Sequence, residues 1–128
     1  MSLRSPLGSV LGHGSARSGS AHWYAQRVTA VALVLLGLWF AASLACLGSA
    51  SHERVTAWLR TPANSVLAVL LLAAGAYHAA IGLQVVVEDY VGAKGLRAAV
   101  LLVINFALVG AAVTGVLAVL RIALGVAP

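Results

Sequence analysis

Acidic side chains are nearly absent from this chain: Glu53, Glu88 and Asp89 are the only three in 128 residues, beside eight Lys and Arg. Charged residues make up 9% of the sequence and hydrophobic ones 62%, whereas an ordinary soluble domain is about 25% charged. That scarcity excludes a soluble globular domain. A chain this short buries only about two-thirds of its unfolded surface, and this one lacks the polar residues to cover the remainder. Cysteine is limited to Cys46, which excludes an intrachain disulfide and a cysteine metal motif and leaves a small apolar packing residue. No P-loop, dinucleotide fingerprint or internal repeat occurs.

The charges that do occur define the architecture. All of them lie outside three windows, Val28 to His52, Thr61 to Val87 and Ala98 to Leu120. A hydrocarbon core of roughly 30 Å needs about 20 helical residues, and a helix satisfies its own backbone hydrogen bonds there. The sequence therefore predicts an all-α integral membrane protein with three transmembrane helices, at 28–50, 65–88 and 98–121. The formal charge of +5 does not point to nucleic acid, because the basic residues are scattered over the non-membrane segments. They read as topology signals: Arg4, Arg17, Arg27, Lys94 and Arg97 on one side, Arg54, Arg60 and Arg121 on the other. The positive-inside rule then predicts a cytoplasmic N-terminus and a periplasmic C-terminus.

Residues 1–27 are expected to form a flexible cytoplasmic arm and the lead-in to helix one, and residues 28–128 the three-helix membrane domain. The first twenty residues are too polar and interrupted for a cleaved secretory signal; an organellar transit peptide shares their Ser, Gly and Arg bias. Trp23, Tyr24 and Arg27 mark the headgroup boundary. In the first linker Val55, Trp58 and Leu59 recur at i, i+3, i+4, which predicts a short interfacial helix ended by Pro62, with Asn64 or Ser65 capping the next helix. Gly92 and Gly95 bracket a tight turn of about six residues, so helices two and three should be antiparallel neighbours. Ala107, Ala111 and Gly115 form a small-residue stripe that suits either packing within the chain or a partner helix.

His78 is the residue deep in an apolar window that titrates near neutral pH, and its predicted depth is close to the bilayer centre. A buried ionisable group there is a functional candidate, the alternative being an interhelical hydrogen bond. At about 100° per residue, Gly75, Gly82 and Asp89 fall within roughly 60° of its direction. Glycines one turn above and below an imidazole leave either a slot for a flat macrocycle bound through the ring nitrogen or a close helix contact. Glu88, Asp89 and Tyr90 lie at the membrane boundary about 16 Å further along the helix. A Tyr hydroxyl and a carboxylate there can hydrogen-bond and protonate a quinone carbonyl, or serve as a solvated helix end. Acids at a helix C-terminus oppose the macrodipole, so a cation, Lys94, Arg97 or a partner's Arg, should compensate them. His13, His22 and His52 fall outside the apolar windows, so a second axial ligand would come from another chain.

The segment HWYAQRVTAVAL (His22 to Leu33), followed by H-x10-D-Y within HAAIGLQVVVEDYV (His78 to Val91), resembles the hydrophobic membrane-anchor family of succinate dehydrogenase, respiratory complex II. The alphaproteobacterial type is most similar, and the likeness covers nearly the whole chain past residue 20. It implies that this chain and a second, cytochrome-type anchor hold haem b between them, with His78 as the axial ligand to the haem iron. It further implies that Tyr90 hydrogen-bonds ubiquinone, that Asp89 organises the same site with an Arg of the second anchor, and that Arg27 lies near the haem propionates. The implied partners are that cytochrome b556-type anchor, an iron–sulfur protein and a flavoprotein, which holds the succinate-oxidising site. The implied location is a bacterial inner membrane, with the mitochondrial inner membrane as the alternative. Ala80 departs from the enterobacterial type, which carries Trp there. The rival readings are a fumarate reductase-type anchor, a small proton-coupled transporter relaying protons through His78, and a purely structural membrane protein.

Overall fold

The computed structural model describes residues 18–126; Arg4, His13, Arg17 and the expected N-terminal arm through residue 17 lie outside them. Among the described residues four helices follow one another: α1 (Ser18–Leu47), α2 (His52–Arg60), α3 (Pro62–Tyr90) and α4 (Lys94–Ala123). Three of them, over Ser20–Leu47, Pro62–Tyr90 and Lys94–Ala123, are long and apolar enough to cross a membrane. The predicted three-span plan and the short linker helix are therefore both present.

Each long helix is longer than its charge-free window, for local reasons. α1 begins at Ser18, ten residues before the predicted start. No Pro or Gly interrupts Ser20 to Leu36, and Arg27 lies over the Trp23 ring one turn earlier on the same helix, 5.4 Å from its centroid, a cation–π contact compatible with continuous helix. α1 stops at Leu47 instead of 50 because Gly48 takes φ +66°, the left-handed conformation that closes helices at glycine. Arg54 Nη1 donates to the Leu47 carbonyl at 3.0 Å and so satisfies one of the orphaned acceptors of that helix end.

α2 is capped by Ser51, whose Oγ accepts from the Arg54 amide at 3.4 Å, and carries Glu53 in its first turn and Arg60 in its last, an order that suits the helix dipole. The predicted capping of α3 by Asn64 or Ser65 is incorrect. Thr61 is the N-cap, without a side-chain hydrogen bond, and Pro62 occupies the first turn, where its missing N–H costs nothing. Asn64 Nδ2 instead donates back to the Trp58 carbonyl at 2.9 Å, and Ser65 Oγ donates to that of Pro62 at 2.9 Å. The α3–α4 connection is shorter than predicted: Val91, Gly92 and Ala93 suffice, and Gly95 already lies within α4. Arg97 Nε donates to the Val91 carbonyl at 2.9 Å. The cation thus answers the end of α3 through its backbone instead of pairing with Glu88, which accepts from Gln84 Nε2 at 2.8 Å.

α3 is the middle helix, packed against α4 along one side and α1 along another, with α2 touching α3 and α4. The tightest packing gathers at the α2 end, where Leu59, Ala68 and Val119 are buried among Trp39, Val55, Trp58, Val69, Leu72 and Ile122. Trp39 and Trp58 stack with centroids 5.5 Å apart. Gly115 serves packing inside this chain: a Cβ there would meet Leu72 Cδ1 at 3.2 Å. Ala107 and Ala111 of the same predicted stripe are exposed.

Candidate functional site

His78 sits two residues past the midpoint of α3, which keeps it near the centre of the span as predicted. Its half-buried ring meets α1 at two points. Thr29 Oγ1 lies 2.8 Å from Nδ1, and Gln26 Nε2 lies 3.3 Å from Nε2. The interhelical hydrogen bond weighed from the sequence is therefore real, and it engages both ring nitrogens. Thr29 Oγ1 also lies 2.8 Å from the Ala25 carbonyl and 3.2 Å from that of Gln26.

Around this ring α1 and α3 form a groove lined by His22, Trp23, Gln26, Arg27, Ala30, His78, Gly82 and Val85, with a volume near 530 Å³. That is within the range of small-molecule and cofactor sites. Two polar atoms of its lining residues are orphans: His22 Nε2 and Gln26 Oε1 are buried with no hydrogen-bond partner. Buried polar atoms are seldom left unsatisfied, so both are suited to meet a bound group. Gly82 is part of the wall, and a Cβ there would lie 3.5 Å from Gln26 Nε2. Gly75 belongs to helix packing instead, where a Cβ would lie 3.9 Å from Leu33 Cδ2, and it does not line the groove. Arg27 lines the groove as well, its guanidinium over the Trp23 ring.

The sequence alone does not single out His22, Gln26 and Thr29 for this site, and it places His22 outside the membrane windows. The cause is the predicted start of helix one at Val28, which cuts the helix after His22 and Gln26 and leaves Thr29 at its first turn. With the start at Ser18 the three recur at i, i+4 and i+7, one face of α1, and that polar stripe on an apolar helix is the signal that could have found them. Glu88, Asp89 and Tyr90 form the end of α3, with Tyr90 85% exposed. Tyr90 is about 18 Å along the axis from His78, and none of the three is brought into the groove. A larger cleft of about 760 Å³, lined by His52, Thr56, Arg60, Thr114 and Arg121 among others, lies at the α2 end and includes none of the predicted site residues. Among the described residues no cluster of three or more His, Cys, Asp or Glu could hold a bare metal ion.

Comparison with known proteins identifies the family. Residues 1–120 match the family described as the succinate dehydrogenase/fumarate reductase transmembrane subunit. The chain is 40% identical over 85 residues to the succinate dehydrogenase hydrophobic membrane anchor subunit of Rickettsia bellii, a span covering 66% of this chain and 67% of the relative. The protein of the same name from Rickettsia conorii is 33% identical over 93 residues, 72% of this chain and 74% of its own. That from Paracoccus denitrificans is 29% identical over 110 residues, 84% of this chain and 85% of its own. The chain thus belongs to the family of succinate dehydrogenase/fumarate reductase transmembrane subunits.

Proposed function

We propose that this chain is the membrane anchor of a succinate:ubiquinone oxidoreductase, sharing one haem b and the ubiquinone site with its partner subunits. The observation that carries the proposal is His78: a mid-membrane imidazole on the wall of a groove whose other polar atoms include two without partners. His78 would supply the axial nitrogen, with Gln26 withdrawing from it, and Arg27 would face the propionates. Gly82 keeps the wall beside the ring low. The partner anchor would supply the other residue that holds the iron. When bound, the haem supplies a one-electron redox centre.

Succinate loses two electrons and two protons in the flavoprotein to become fumarate, and ubiquinone gains the same number to become ubiquinol. The iron–sulfur protein joins the two sites. At the quinone, the Tyr90 hydroxyl would donate a hydrogen bond to a carbonyl oxygen and support its protonation as charge develops there. Asp89, on the same helix end, would organise that site together with an Arg of the partner anchor. Tyr90 and the Gly92 turn face the cytoplasm in this reading, with the N-terminus on the same side and Arg121 towards the periplasm of a bacterial inner membrane.

Tyr90→Phe tests the quinone role. In the purified complex, kcat/KM for ubiquinone should fall by about tenfold while flavoprotein, iron–sulfur protein and both anchors still copurify. Wild-type ubiquinone kinetics in that variant would overturn the role given to Tyr90.

A further inference from the structure

The structure assigns Thr29 as the residue that fixes the tautomer and ring plane of His78, so that Nδ1 carries the proton and Nε2 is presented to the iron. The inference rests on the proposed ligation by His78 and goes beyond it, because the imidazole alone could offer either nitrogen.

The assignment follows from counting hydrogens. Thr29 Oγ1 has one hydrogen and three close neighbours: the Ala25 carbonyl at 2.8 Å, the Gln26 carbonyl at 3.2 Å and His78 Nδ1 at 2.8 Å. Both carbonyls can only accept. If the hydroxyl donated to Nδ1, two oxygens would face Oγ1 with no hydrogen between them. If it donates to Ala25, Nδ1–H donates to Oγ1 and the close contacts are satisfied. The second nitrogen is compatible with this tautomer. Gln26 Nε2 is a donor, and at 3.3 Å from His78 Nε2 it requires a lone pair there. The resulting chain runs from Nδ1–H to Oγ1 and from Oγ1–H to the Ala25 carbonyl, anchored in the backbone of α1.

An imidazole that donates its distal N–H is a stronger donor at the ligating nitrogen, and the bond holds the ring in one orientation. Its basicity favours the ferric over the ferrous state. Gln26 would have to leave Nε2 free for the iron, and its 3.3 Å contact is long for an N–H···N bond, whereas Thr29 engages the opposite nitrogen and need not move.

The test uses the intact complex with Thr29→Val, Thr29→Ser and His78→Ala, read by haem content, optical spectrum and potentiometric titration of the haem. Valine keeps the shape of threonine and removes the hydroxyl. The haem midpoint in Thr29→Val should rise and haem retention should fall by about tenfold, with Thr29→Ser restoring both. A wild-type midpoint and retention in Thr29→Val, beside loss of the haem signal in His78→Ala, would overturn the inference while leaving ligation intact. Equal loss in the serine and valine variants would overturn it too, since the hydroxyl is then irrelevant. An unchanged spectrum in His78→Ala would instead defeat the ligation reading, and the inference with it.

Discussion

His78 stands out in the sequence because a single ionisable side chain in a long apolar run is costly unless something answers it. Helical arithmetic also puts Gly82 on the face of His78, where it lines the groove, since that calculation needs only one helix. The partners of His78 require knowledge of a second helix. Thr29 and Gln26 are 49 and 52 residues away in the chain, and nothing local to α3 indicates which turn of α1 packs there. Gly75 shares the face of Gly82, but a Cβ there would meet Leu33 of α1, whereas Gly82 lines the groove. Gly82→Leu tests this division. Its side chain would project at Gln26 and fill the groove, so haem content of the assembled complex should drop by roughly tenfold, consistent with the 1–3 kcal/mol cost of overpacking. Full haem occupancy in that variant would remove Gly82 from the site.

At the scale of elements, composition locates every helix and misjudges where each one ends. Charge-free windows report where lipid tolerates the chain, whereas helix ends are set by backbone chemistry: Gly48 at φ +66° for α1 and Gly125 at φ +70° after α4, with Pro62 in the first turn of α3. The pairing of α3 with α4 is legible from the short turn between them, and the contact at Gly115 gives that pairing a test. A methyl group at this position would meet Leu72 at 3.2 Å, a distance at which the leucine must shift. Gly115→Leu should destabilise the helix pair by about 1–3 kcal/mol, seen as a lower thermal midpoint of the complex in detergent, and Leu72→Ala in the same chain should recover much of it. An unchanged midpoint would mean that α3 and α4 do not pack closely at this level.

The whole molecule leaves most of its apolar surface uncovered. None of its large side chains among the described residues is fully buried, and Leu35, Val103 and Phe106 are 65%, 66% and 71% exposed. Helices in lipid gain no hydrophobic drive from one another, so this surface is suited to lipid and to partner subunits. The packed core at the α2 end holds the bundle, while the His78 end is open between α1 and α3. The proposed orientation rests on the distribution of Lys and Arg. In a Cys46→Ser background, Gly92→Cys should react with a membrane-impermeant thiol reagent from the cytoplasmic side and Ser51→Cys from the periplasmic side; the reverse pattern would invert the orientation. The most direct measurement is a reduced-minus-oxidised optical spectrum of the complex that copurifies with this chain, compared between wild type and His78→Ala. The account predicts a b-type haem signal in the wild type, lost or shifted in the variant, in preparations that retain the flavoprotein and iron–sulfur protein. A haem signal identical in the two complexes, or absent from both, would contradict it.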